Sequence, residues 1–143
     1  MRVLDEDQRV PDLPALPLPD ELALQRPHLA ELARPEIEEA LIRAIRRFGI
    51  TGERKEGWTG VWTGGGARKL ASIGVAVKRW VTLHGFALNV STDLGRFASI
   101  NPCGLEATTM GSMESVLGRP VPFAEVKAAT REELGAVFAR LLV

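Results

Sequence analysis

The only cysteine of the chain, Cys103, stands in Ile100-Asn101-Pro102-Cys103-Gly104-Leu105. A lone cysteine in a soluble domain is more often an inert buried residue than a nucleophile, but the neighbours of this one favour chemistry. Pro102 fixes the approach of the chain, and Gly104 lets other atoms come close to the backbone beyond the sulfur. The segment follows the strand region as a loop, where reactive groups are usually presented. Such a loop can expose a thiol beside backbone amides able to stabilise an oxyanion. The reactive form is the thiolate, which a neighbouring cation favours at neutral pH.

Two residues upstream qualify as that neighbour. Lys69 opens Lys69-Leu70-Ala71-Ser72-Ile73-Gly74-Val75, where alternation puts it on the side of Ala71, Ile73 and Val75. It reads either as a strand-end lysine reaching solvent or as a partly buried amine beside the thiol, lowering its pKa and shuttling a proton. His84, in Leu83-His84-Gly85-Phe86-Ala87-Leu88-Asn89, reads either as a histidine satisfied by backbone or as a site residue. Alternation also gives each segment a face of small residues. Ser72, Gly74 and Ala76 share one; Gly85 and Ala87 share another with Asn89. Glycines inside strands often mark the close approach of a ligand or of another backbone. The two faces can therefore floor a groove for a narrow apolar chain, or serve tight packing of a helix on the sheet.

Other signals are weaker. Gly64-Gly65-Gly66-Ala67-Arg68-Lys69 is glycine-rich and basic but lacks the GxxxxGK[ST] spacing of a phosphate loop. Two histidines and one cysteine leave any metal site dependent on carboxylates, at spacings the sequence does not supply. Trp58, Trp62 and Trp80 read as core or sheet-face residues, and His28 receives no role.

The elements that must position these residues follow from periodicity. Pro35 suits the first position of a helix, with Glu36, Glu38 and Glu39 in its first turn and Arg43, Arg46 and Arg47 in its last. Ile37, Leu41, Ala44, Ile45 and Phe48 form one apolar stripe, and Gly49 supplies the stop. Strands are predicted over Gly60–Thr63, Lys69–Val77 and Val81–Val90, joined as an antiparallel meander through a Gly64–Gly66 turn and a Lys78-Arg79 junction. A last helix fits Phe123–Leu142, with Val126, Thr130, Leu134, Val137 and Leu141 on one face. Upstream, six of the nine prolines lie within the first 35 residues. The prolines make residues 1–20 extended or disordered, with at most a short helix over Leu22–Leu32 broken at Pro27. The expected division is a poorly ordered segment, residues 1–34, and a catalytic region, residues 35–143. The fold class is α+β, a sheet layered against helices.

Composition sets the outer limits. With 143 residues and 45% apolar content, the chain has the length of one domain able to bury a core without staples. Lys+Arg and Asp+Glu balance at 18 each, so no uncompensated positive field attracts nucleic acid. One cysteine excludes a disulfide framework and a four-cysteine zinc site. No run approaches the length of a membrane span, and acids occupy the start where a signal peptide would be apolar. The expectation is a cytoplasmic protein that engages neither nucleic acid nor membrane.

Taken together, Gly60-Val61-Trp62, the run Lys69 to Val77, His84-Gly85-Phe86-Ala87-Leu88-Asn89-Val90, Asp93-Leu94, Phe97 and Ile100-Asn101-Pro102-Cys103-Gly104 resemble the octanoyltransferases of the lipoate pathway in order and spacing. The likeness runs from about Pro35 to the C-terminus. It implies transfer of an octanoyl group from octanoyl-acyl carrier protein to Cys103 as a thioester. The ε-amine of a lysine on a lipoyl domain, of a 2-oxoacid dehydrogenase complex or of the glycine cleavage H protein, then takes it. By the same resemblance Lys69 lowers the Cys103 pKa and relays protons. Ser72, Ile73, Gly74, Gly85, Phe86 and Ala87, with His84 beside them, contact substrate. No cofactor and no metal is required. The implied fold is that of biotin and lipoate protein ligases, a mixed sheet flanked by helices and incomplete at the N-terminus. One departure stands out: the family's Arg-Gly-Gly…Thr-x-His-Gly-Pro-Gly-Gln region, which lines the acyl pocket, has no counterpart in residues 1–34. Thr109-Met110-Gly111-Ser112-Met113 stands where the family tends to have Val-Thr-Ser-Leu, a smaller drift. A catalytically impaired homologue that binds a lipoyl domain or acyl carrier protein is the alternative reading.

Overall fold

A computed structural model describes residues 29–78, 81–99 and 104–139. Helix α1 (Leu29–Arg46) leads to a four-stranded sheet of β1 (Glu53–Lys55), β2 (Trp58–Thr63), β3 (Arg68–Lys78) and β4 (Val81–Leu88). After 3-10 turns at Leu94–Ser99 and Ala107–Thr109 come the short helix α2 (Met113–Leu117) and the long helix α3 (Phe123–Ala139). The strands neighbour one another in chain order, all antiparallel. The α+β class holds, with an open antiparallel sheet among the described residues; one isolated parallel bridge, Lys69 to Met110, lies outside its strand ladders. No helix among the described residues is long and apolar enough to cross a membrane.

The apolar stripe of α1 does what its spacing predicts. Ile37, Leu41, Ala44 and Ile45 are buried, and Phe48 packs against the core from its edge. The core joins them to Val61, Leu70 and Ala71 of the sheet, Val90, Met113 of α2, Val121, and Val126 of α3. The start of α1 differs from the expectation. Pro35 lies inside the helix, which runs through the expected boundary at residue 34 from Leu29 onward. A proline withholds one amide from the ladder without necessarily ending it, and a proline followed by an acidic turn looks alike at a first turn and one turn later. Gly49, at φ 93°, ends the helix as expected. Replacing Leu41, which has no exposed surface, by alanine is expected to cost about 2–5 kcal/mol. Chemical denaturation followed by tryptophan fluorescence would measure it, and a change within about 0.5 kcal/mol, the range of surface substitutions, would place Leu41 outside the core.

Two elements escaped the sequence reading. Strand β1, Glu-Arg-Lys, has only three residues and none apolar; it is held from outside. Arg54 pairs with Glu38 and Glu39 of α1, both at 3.2 Å, and also donates to the Pro35 carbonyl at 2.9 Å. Helix α2 is capped by Ser112 and Ser115, which exchange hydrogen bonds, and ends at Gly118 with φ 66°. Its first amides reach back to the end of β4, from Met113 to the Asn89 carbonyl and from Glu114 to the Val90 carbonyl. The predicted face of α3 is buried at Val126, Thr130 and Val137 and half-buried at Leu134. Leu141, Arg79, Trp80 and residues 1–28, which include the part of the expected Leu22–Leu32 helix before Leu29, lie outside the described residues.

Candidate functional site

The pairing of β2 with β3 changes the face on which Lys69 works. Val61 opposes Ala71, but the next residue, Trp62, opposes Lys69. One residue of β3, Leu70, is therefore extra, a β-bulge. Opposed residues project to the same side of a sheet and successive ones to opposite sides. Val61 and Ala71 face the helices within the core, so Trp62 and Lys69 share the other side. The expectation that Lys69 keeps the parity of Ala71, Ile73 and Val75 is thus corrected. Strict alternation holds only for an unbroken ladder, and a bulge resets it by one residue.

On that outer side Lys69 is only 5% exposed. Its ammonium lies 5.5 Å from the centroid of the Trp62 ring. No hydrogen bond or ion pair to it is found among the described residues. Its stem passes over Gly60, where an added Cβ would stand 2.8 Å from Lys69 Cε. Gly60 adopts φ 134°, a backbone that favours glycine, and donates its N–H to Glu38 Oε1 at 2.9 Å. Glu38 is itself buried, so α1 anchors the strand at the point where the lysine crosses.

The same side carries the small residues. In the β3–β4 ladder Ser72 opposes Ala87 and Gly74 opposes Gly85, so the two faces inferred from alternation meet as one. Among the described residues nothing lies within 4 Å of the position a Cβ would take on Gly74 or Gly85. The helices pack on the opposite side, so tight helix packing is not what these glycines serve. The bulge thus brings Lys69 onto the strip of Ser72, Gly74, Gly85 and Ala87.

Other predicted site residues separate from this strip. Ile73 opposes Phe86 and Val75 opposes His84, on the helix side. Phe86 lines an apolar groove with Leu88, Val90, Phe123 and Leu134 between β4 and α3. Only the main chain of Ile73 and Phe86 borders the small-residue strip. His84 is exposed and has φ 69°, a left-handed conformation uncommon outside glycine. Cys103 lies outside the described residues. The chain after it is held, however: Gly104 has φ 77°, the Arg68 guanidinium donates to the Thr108 carbonyl at 3.2 Å, and the Gly111 amide donates to the Lys69 carbonyl at 2.9 Å. The described chain from Gly104 onward thus returns to the backbone of Lys69 at Gly111.

Sequence reasoning missed Trp62 and Gly60 as parts of this arrangement. Their signal was the Gly60-Val61-Trp62 run itself, whose alternation puts the glycine and the indole on one face. Among the described residues no group of three or more His, Cys, Asp or Glu side chains is arranged to hold a metal ion.

Residues 24–135 match the model of the lipoyl protein ligase A/B catalytic domain. The chain is similar to an octanoyltransferase of Geobacter metallireducens, with 55% identity over 87 residues, 61% of this chain and 40% of the relative. An octanoyltransferase of Syntrophotalea carbinolica is 54% identical over 88 residues, 62% of this chain and 41% of the relative. One from Desulfovibrio desulfuricans is 49% identical over 100 residues, covering 69% and 41%. The matched region thus spans about two fifths of the length of these curated relatives.

Proposed function

Because the chain belongs to the lipoyl protein ligase A/B catalytic domain family, we propose that it transfers an octanoyl group from acyl carrier protein to a lysine of a lipoyl domain, through a thioester on Cys103. The observation that carries this reading is the bulge, which sets a buried ammonium, without an anionic partner among the described residues, beside a strip of glycine, alanine and serine. A strip of such small side chains suits a straight acyl chain lying along the sheet. The ammonium suits a thiol that must ionise.

In the first step Lys69 holds the proton of the Cys103 thiol, and the thiolate attacks the carbonyl carbon of the octanoyl thioester. A new C–S bond forms and the bond to the carrier breaks. The departing carrier thiolate takes the proton from Lys69. In the second step the lysine amine of the lipoyl domain attacks the Cys103 thioester. The amide C–N bond forms, Cys103 leaves as thiolate, and the surplus amine proton passes to Lys69, restoring the pair. Every proton and every bond is accounted for by the two acyl partners and these two side chains.

Intact-mass measurement after mixing the chain with octanoyl-acyl carrier protein tests the reading. An octanoyl adduct is expected on the native chain and absent from Cys103→Ser. No adduct on the native chain, with binding of a lipoyl domain retained, would instead favour the impaired binding homologue.

Gly74→Leu tests the strip separately. The leucine enters open space, so the thermal transition is expected to hold within a few degrees. Adduct formation should need at least roughly tenfold more acyl donor, about the discrimination a well-placed apolar group provides. An unchanged dependence on donor concentration would move the acyl chain elsewhere.

A further inference from the structure

A buried ammonium needs compensation for the water it has lost, and the described residues offer Lys69 no carboxylate and no carbonyl. What they offer is the face of Trp62, 5.5 Å from its nitrogen. Lys55 lies 4.5 Å from the same ring centroid and also donates to the Gly66 carbonyl at 3.0 Å. Trp62 has no exposed surface, and its indole Nε1–H has no acceptor among the described residues. An unpaired buried donor costs stability, so a phenyl ring would serve a purely structural purpose better. What the indole adds over phenyl is the more electron-rich face, the best of the aromatic side chains for holding a cation.

We infer that Trp62 is a positioning residue for the transfer reaction: its indole face holds the Lys69 side chain in place on the outer side of the bulge and thereby sets the reactivity of Cys103. The stem of Lys69, confined above Gly60, leaves the ammonium against this ring. The inference rests on the reading of Lys69 and Cys103 as a proton-exchanging pair, and it extends the site to a residue that touches neither acyl partner.

The test uses the full chain carrying Trp58→Phe and Trp80→Phe, so that Trp62 is the remaining tryptophan. It is then replaced biosynthetically by fluorinated tryptophans, each fluorine weakening the ring face with little change of shape. Alkylation of Cys103 by iodoacetamide at neutral pH is expected to slow stepwise along the series, by about fivefold at its end. Trp62→Tyr should retain more of the rate than Trp62→Leu. In lysine labelled with 13C at Cε, the Lys69 signal, identified by its loss in Lys69→Met, should be shifted upfield by the ring and return to the ordinary lysine position in Trp62→Leu. A constant alkylation rate along the fluorinated series, with Lys69→Met slow, would overturn the role of Trp62 and leave the thiol–amine pair intact. A fast Lys69→Met would overturn the pair itself, and with it the link from Trp62 to Cys103. An unshifted Lys69 signal in the native chain would overturn the contact. Should Trp62→Leu fail to fold, the isosteric fluorinated series decides alone.

Discussion

Lys69→Met is expected to lower octanoyl transfer by at least about a hundredfold, the scale of losing a positioned proton-transfer group, while the fold keeps or gains stability. The two halves of this result have one cause. Lys69 is nearly free of solvent contact, and its ammonium has no anionic partner among the described residues, so its charge costs solvation that the fold does not recover through an ion pair. Replacing a poorly compensated buried charge by an apolar side chain of similar length is commonly neutral or stabilising. A lysine kept for structure would show the reverse, with the melting temperature falling and the rate per folded molecule unchanged. Adduct formation by intact mass and a thermal melt on the same preparation separate the two. A rate within twofold of native, a threshold of roughly 0.4 kcal/mol in barrier, would remove Lys69 from the chemistry.

The second large effect is expected at Gly60→Ala. The added Cβ would stand 2.3 Å from the Ala71 carbonyl oxygen and 2.8 Å from Lys69 Cε, on a backbone at φ 134°. The backbone oxygen cannot yield without disturbing the bulge, and alanine is strained in that conformation. A loss of about 2 kcal/mol or more follows from strain and overpacking together. The same methyl group pushes the lysine stem, so the transfer rate should fall further than stability alone explains. Gly135→Ala in α3 is the control: its Cβ meets nothing within 4 Å among the described residues, and both stability and rate should stay close to native. Equal, small effects at the two glycines would show that Gly60 is not the gap through which Lys69 passes.

These expectations differ in how far they were legible before any coordinates. Helices α1 and α3 were legible because a core-facing stripe repeats every three to four residues, whatever it packs against. The long strands β3 and β4 were legible from alternation, and so were the small-residue faces, whose pairing as Ser72 with Ala87 and Gly74 with Gly85 follows from a regular antiparallel ladder. Short elements were not. Strand β1 is held by Arg54 and two glutamates of α1, and helix α2 by its own serine box and the end of β4. Those partners are distant in sequence or carry no period.

The amino-acid sequence alone, then, marks Cys103 and Lys69 as the candidates for chemistry and shows which strands bear a face of small residues. Only the tertiary structure decided that Lys69 belongs to that face. Counting residues from Ala71 turns the lysine toward the helices; the ladder with β2 turns it away, because Val61 and Trp62 are adjacent while Ala71 and Lys69 are two apart. A bulge is a property of two strands at once, chosen where burying Val61, Leu70 and Ala71 in the core leaves one residue over. No periodicity within β3 alone records it.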